Sequence, residues 1–323
     1  MILNLAIGFY IAFGILGAIL LFVIFPLFGV GYIVACILYR MQWKKSDKCK
    51  FERGCSDPTI DFHLDMFNQG MDYRQKVIDN VKDVDIYNDG LHLFGEYYDF
   101  GYDKAVIILP GRMETCWYGA FYVEPYVKAG YNVLTIDPRA HGLSEGVYLT
   151  LGKKEADDAL AWARYLHEKK HIKSIVLAGI CVGCTTSCYA FSNPDCPSYI
   201  NGFISDSMFV NFIKMYALHI KERKKPVFPC LQFLLHKIKK YNGIDPEEAA
   251  CEKMVQNIKV PTLFFAGTKD SYISKEDANW LFDHLGTNNK KFVLLEGARH
   301  SHSRYDAKEM YDKNVIDFLN SLD

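Results

Sequence analysis

The chain has almost no net charge: 37 Lys and Arg stand against 38 Asp and Glu in 323 residues, a balance of −1. No global field is there to hold a phosphate backbone, and no zinc-finger, RNA-recognition or basic-helix pattern offers one locally, so nucleic acid is excluded as a partner. Internal repeats and low-complexity tracts are missing too. The ten histidines show no H-E-x-x-H or comparable ligand spacing, which leaves metal catalysis without support, and no cofactor is expected. The most informative lack is local: between Met1 and Tyr39 no side chain carries a charge.

That uncharged stretch reads as a membrane segment. As a continuous helix it would reach about 58 Å at about 1.5 Å per residue, nearly twice the roughly 30 Å of bilayer hydrocarbon. The expectation is one kinked or partly interfacial helix, broken near Pro26, Gly29 or Gly31, with a hairpin as the alternative. The 13 residues after Pro26 are too few for a second full span. No basic segment precedes the apolar run, so it reads as an uncleaved single-pass anchor touching lipid through residues 1–39, not as a signal peptide. Arg40, Lys44, Lys45, Lys48 and Lys50 follow it directly, and the positive-inside rule then puts the rest of the chain in the cytoplasm. Ten cysteines at irregular spacing form no small-domain disulfide framework in a chain this long, and reduced thiols are expected.

Half of the residues are hydrophobic and the mean hydropathy is near zero, enough for a large packed core. Residues 40–82 are polar and mixed, and read as a juxtamembrane linker with one or two short helices. From Asp83 the pattern turns strand-like: 83–88, an Asn-Asp-Gly turn at 88–90, then 91–99, together an antiparallel hairpin. Short apolar runs at 105–109, 132–136, 174–178, 199–204, 262–266 and 291–295 follow. Helical patterns at 118–129, 153–169, 183–192, 275–285 and 306–321 separate most of them, an alternation that predicts an α/β domain over 83–323 with a mostly parallel sheet covered on both faces. One insertion, at about 208–256, has no strand but apolar-periodic helices broken by Pro226 and Pro229, the pattern of a cap. Between 209 and 241 it carries Lys214, Lys221, Arg223, Lys224, Lys225, Lys237, Lys239 and Lys240 against Glu222 alone. Such a cluster is either a solvated helix face or a surface for anionic lipid heads or an acidic substrate.

Function in a parallel sheet gathers at the carboxyl ends of its strands. After 174–178 comes Gly179-Ile180-Cys181-Val182-Gly183 opening a helix, a G-x-C-x-G nucleophile elbow with a thiol where a hydroxyl is usual. After 262–266 comes Gly267-Thr268-Lys269-Asp270, and after 291–295 comes Gly297-Ala298-Arg299-His300. The order is nucleophile, acid, base. Pro110-Gly111-Arg112 follows the 105–109 strand, and 137–146 reads D-P-R-A-H-G-L-S-E-G.

These motifs resemble the α/β-hydrolase superfamily over roughly residues 83–321. The 137–146 loop is similar to its D-x-R-G-H-G-x-S-x-G motif. Asp206-Ser207, and Asp245-Pro246 leading into Val260-Pro261, resemble its bacterial membrane-anchored branch of peptidase-like or esterase-like hydrolases. The resemblance implies an eight-stranded sheet, a Cys181-His300-Asp270 triad, an oxyanion hole from the backbone amides of Arg112 and Val182, and a small-molecule acyl substrate. The chain departs from the family at Pro110, where His is common, and at Cys181, where Ser is common. The first departure is mild because the hole uses backbone N–H groups. The second sets the chemistry: thiolates attack esters and thioesters readily, whereas an amide needs its leaving amine protonated, so ester or thioester ranks above peptide.

Each choice has a rival. Asp206 also ends a strand, but the Gly-Thr-Lys-Asp context favours Asp270 as the acid. His302 competes with His300 as a loop histidine, and His141 reads as structural. Cys181-Val-Gly-Cys184 also makes a C-x-x-C, with Cys188 one turn on, whose redox reading lacks a thioredoxin-like setting; a Cys181–Cys184 bridge that switches the nucleophile off is the milder form. The alternative to catalysis is a silent member that binds a ligand or partner through the same pocket.

Overall fold

A computed structural model describes residues 2–46 and 51–322; Lys48, Cys49 and Lys50, named above, lie outside them. The apolar runs become strands β1 Val81–Asn88, β2 Leu91–Tyr98, β3 Lys104–Leu109, β4 Asn132–Ile136, β5 Ser174–Ile180, β6 Ile200–Asp206, β7 Thr262–Gly267 and β8 Lys290–Leu295. They join one eight-stranded sheet in the order β1-β2-β4-β3-β5-β6-β7-β8. β2 is antiparallel to both β1 and β4, and every later pairing is parallel. Successive residues of β3, β4 and β5 are buried, not alternate ones, so these strands are covered on both faces.

Numbering helices of eight residues or more, α1 is Ile2–Ile19, α2 Phe25–Gln42, α3 Asp61–Lys76, α4 Lys153–Lys170, α5 Val182–Ser192, α6 Phe212–Glu222, α7 Cys230–Asn242, α8 Lys275–Asp283 and α9 Lys308–Asn320. Two expected helices are subdivided. The 118–129 segment is a chain of short turns, Cys116–Gly119, Ala120–Tyr122 and Val123–Lys128. The 306–321 helix is preceded by a separate turn, Ser303–Asp306, because Ala307 leaves the helical region at φ −142°.

The break expected near Pro26 is not a break. A π-helical turn, Leu20–Ile24, links α1 to α2, and Phe25 N donates to Leu20 O five residues back. The wider turn precedes Pro26, which has no N–H to give to the usual carbonyl. The helix runs on through Gly29 and Gly31, and its Ala6–Gln42 portion is long and apolar enough to cross a membrane.

The surroundings change along that helix. Nearly every described side chain from Ala6 to Leu27 is exposed. Beyond, Gly31, Ala35, Tyr39 and Gln42 are buried, one stripe at spacings of four, four and three. The stripe lies on the cap. A Cβ at Gly31 would sit 2.7 Å from Pro229 Cγ, the Phe28 ring meets Phe228 and Phe233 edge-on at 5.6 and 6.1 Å, and Tyr39 Oη donates to Asn242 Oδ1 at 2.7 Å. The segment read as a cap contains α6 and α7.

Residues 51–80, read as a linker, are packed into the domain. Phe51 is buried and stacks on His141 at 4.8 Å, Met66 is fully buried, and Arg74 bonds both carboxylate oxygens of Glu96 at 2.8 Å. Arg53 Nε donates to Asp137 Oδ2 at 2.8 Å, tying this segment to the 137–146 loop. In that loop Asp137 also accepts the amides of Cys116 and Leu143 at 3.0 Å, and a Cβ on Gly142 would fall 2.3 Å from its carboxylate. The loop motif is therefore a fastening behind the site.

Candidate active site

The elbow is a strand-to-helix turn whose closeness dictates its composition. Cys181 stands between β5 and α5 at φ 51°, ψ −107°, a strained backbone for any residue with a Cβ. A Cβ on Gly179 would lie 2.7 Å from Cys184 N, and one on Gly183 would lie 1.9 Å from Leu109 O. Only glycine fits either place. Cys181 N is pinned to Asp206 O at 3.0 Å, so the turn is bolted to the neighbouring strand.

The structure brings His300 and Asp270 together. His300 Nδ1 and Asp270 Oδ2 are 2.8 Å apart, and Asp270 Oδ1 accepts the amides of Tyr272 and Ile273 at 2.8 and 3.0 Å. The carboxylate is thus held on both oxygens, and it orients the imidazole. Apart from the Cys181 sulfur, His300 Nε2 has no hydrogen-bond partner among the described residues. Burial disfavours charge on this ring, but the Asp270 carboxylate and the Cys181 sulfur beside it outweigh burial and hold its pKa well above the usual histidine range.

The oxyanion turn follows β3. Glu114 Oε2 accepts Gly111 N at 2.7 Å, which shapes the turn from beneath. Arg112 N donates to no acceptor among the described residues, and Val182 N, first in α5, has no carbonyl one turn back to bond. Sequence reading missed Glu114. Burial pushes its carboxyl up to about 7, Asp206 adds to the rise, and the Gly111 amide and His300 oppose it.

The rivals are occupied elsewhere. Asp206 accepts Ser303 Oγ at 2.6 Å and Ser207 Oγ at 3.0 Å, burial lifts it to about 6, and the His300 Nδ1 it would need belongs to Asp270. The His302 ring sits edge-on to Phe62 and His63, both at 4.8 Å, its Nδ1 is turned to His300 O, and burial lowers it to about 4. His141 Nδ1 donates to Arg139 O at 2.9 Å, as a structural role implies. Cys184 is fully buried, with Sγ 3.1 Å from Gly179 O, and every described cysteine is free.

Beside the turn lies a small, partly open pocket with mostly apolar walls. Its walls include Arg112, Val182, Trp43, Leu149, Leu151 and Trp162; Cys181 and His300 are not among them. Trp43 was not foreseen. It follows Gln42, whose Oε1 accepts Arg112 Nη1 at 2.6 Å and Tyr216 Oη at 2.5 Å, so the end of the N-terminal helix enters the wall of the site.

Cys181 after β5, Asp270 after β7 and His300 after β8 stand in the order of an α/β-hydrolase site, and comparison with known proteins supports that fold. The sequence model for the α/β-hydrolase fold matches residues 104–227, and that for serine aminopeptidase S33 matches 247–304. An esterase of Pyrococcus furiosus is similar in structure with a TM-score of 0.63 and 25% identity, over 77% of this chain and 93% of its own. The α/β hydrolase GrgF of a Penicillium species shares the fold at a TM-score of 0.58 and 18% identity, over 75% of this chain and 98% of its own. The uncharacterized protein YqkD of Bacillus subtilis is 24% identical over 221 residues, 68% of this chain and 72% of its own. The chain has the α/β-hydrolase fold.

Proposed function

We propose that this protein is a membrane-anchored hydrolase that cleaves carboxylic ester or thioester bonds through an acyl-enzyme on Cys181, within the membrane-anchored branch of the superfamily. The observation that carries the reading is an imidazole bonded through Nδ1 to Asp270 at 2.8 Å, with Nε2 otherwise unpartnered and the Cys181 sulfur beside it. Esterase neighbours support hydrolysis in general. The apolar helix is the anchor, its lipid-facing part ending near Leu27, and the basic residues that follow put the catalytic domain in the cytoplasm.

In the reaction Cys181 Sγ attacks the acyl carbon while its proton passes to His300 Nε2, or has already passed there as the ring's raised pKa favours. The amides of Arg112 and Val182 receive the oxyanion. The leaving alcohol or thiol departs with the proton from His300. Water then attacks the thioester, giving its proton to His300 while the sulfur leaves, and the acid is released. Asp270 keeps Nδ1 protonated and the ring aimed throughout.

A panel of p-nitrophenyl esters and acyl thioesters with the wild type, Cys181→Ala, Cys181→Ser and His300→Ala tests this. Turnover should fall by about a thousandfold or more in both alanine variants. Equal rates for wild type and Cys181→Ala would remove the catalytic reading and leave a silent binding protein. A serine variant faster than the wild type would mark a serine hydrolase that has lost its nucleophile.

A further inference from the structure

Among the described residues, the guanidinium groups that are wholly or partly buried are neutralised, with one exception. Arg53, Arg74, Arg139, Arg299 and Arg304 each meet a carboxylate at 2.6–2.8 Å. Arg112 is half-buried, yet no carboxylate lies within 4.0 Å of it among the described residues. Neutral groups hold it instead. Gln42 Oε1 accepts Nη1 at 2.6 Å, and the guanidinium stands over the rings of Trp43 and Tyr216, each 5.3 Å away. A cation oriented this way keeps its charge uncompensated and most of its N–H fork unclaimed, the arrangement that receives a carboxylate or phosphate in two bonds. Because the same residue supplies an oxyanion amide in the reading above, an anion bound here belongs to the molecule being cleaved.

A second unclaimed group lies nearby. His219 of α6 is buried, and its Nδ1 is 3.1 Å from Tyr272 Oη. Tyr272 gives its proton to Glu222, so the tautomer follows: His219 donates Nδ1–H to Tyr272 and presents a bare Nε2. That nitrogen has no partner among the described residues. Burial first, then the Arg112 charge, lower the ring to about 3, so it stays an acceptor at physiological pH. It suits a hydroxyl. Tyr272 also touches His300 edge-on at 4.9 Å, which keeps the pair close to the proposed chemistry.

Resting on the hydrolase reading, we propose that the substrate is an acyl ester with an anionic, hydroxylated head group. Arg112 binds the anion, and His219 Nε2 accepts the hydroxyl. The anion is a phosphate or a carboxylate, and both are tested.

Binding is read first with ether analogues that cannot be cleaved: dodecyl-glycerol phosphate, dodecyl glycerate and neutral dodecyl glycerol, titrated against the detergent-solubilised full chain by tryptophan fluorescence. One or both anionic analogues should bind at least about tenfold tighter than the neutral one, the scale of a charge-assisted hydrogen bond. Arg112→Met should remove that preference and Arg112→Lys keep part of it. His219→Phe should weaken dodecyl-glycerol phosphate towards its deoxy counterpart, dodecyl-propanediol phosphate, while leaving the deoxy compound's affinity in place. Equal binding of charged and neutral analogues by the wild type, or a preference that survives in Arg112→Met, overturns the proposal. Turnover of the matching lauroyl esters is read separately: anionic selectivity in binding with no cleavage by the wild type sinks the hydrolase reading and spares the anion site.

Discussion

The two halves of the N-terminal helix are built from the same kinds of residue and live in different surroundings. From Ala6 to Leu27 the apolar side chains face outward almost without exception, and glycines such as Gly8, Gly14 and Gly17 have nothing within 4 Å of a notional Cβ. From Phe28 to Gln42 one stripe of the helix is closed against Pro229, Phe233, Tyr241 and Asn242 of the cap. Composition alone cannot separate an apolar surface made for lipid from one made for protein, because both remove the same side chains from water. The run continues past its outward half because one stripe of the second half packs against the cap.

The sharpest way to break this comparison is to remove the halves in turn. A chain beginning at Leu27 should keep ester turnover within about twofold and lose its partition into vesicles, since no residue of the site is touched. A chain beginning at Lys44 also loses Gln42 and Trp43, and turnover should drop by about a hundredfold through a displaced Arg112 and an open cavity wall. Equal loss in the two would mean the outward half also supports the fold. Next in size is one substitution placed twice. Gly31→Val drives a side chain towards Pro229 Cγ and should cost about 1–3 kcal/mol in thermal unfolding, whereas Gly17→Val has open space and should stay within about 0.5 kcal/mol. The smallest effect is expected from Tyr39→Phe, which deletes the 2.7 Å bond to Asn242 and should cost about 1 kcal/mol, against none for Tyr10→Phe on the exposed half. Similar melting shifts for the members of either pair would show that the cap contact contributes nothing.

Much of this architecture could be read in advance. Six strands announce themselves as short apolar runs and β1 and β2 as a hairpin about an Asn-Asp-Gly turn, and each expected range falls within two residues of the observed one; for β3, β4 and β5 burial on both faces leaves little room for other residues. The Cys181, Asp270 and His300 positions were legible because each follows a strand, and the glycines beside Cys181 have a steric cause written into the local sequence. What stayed hidden is what depends on distant partners. Gln42 meets Arg112 across seventy positions, and nothing near either residue signals it. The stripe of Gly31, Ala35 and Tyr39 is invisible among neighbours that are equally apolar. Arg53 looked like one charge in a mixed linker, although its partner Asp137 is buried in the loop behind the site.

The seating of Gln42 against both Arg112 and Tyr216 means that no hinge separates the embedded rod from the chemistry. About fifteen residues lie between the outward half and that seat, a rise of roughly 22 Å. On the anchor reading the nucleophile is therefore held at a fixed altitude over the bilayer, as though on a ruler.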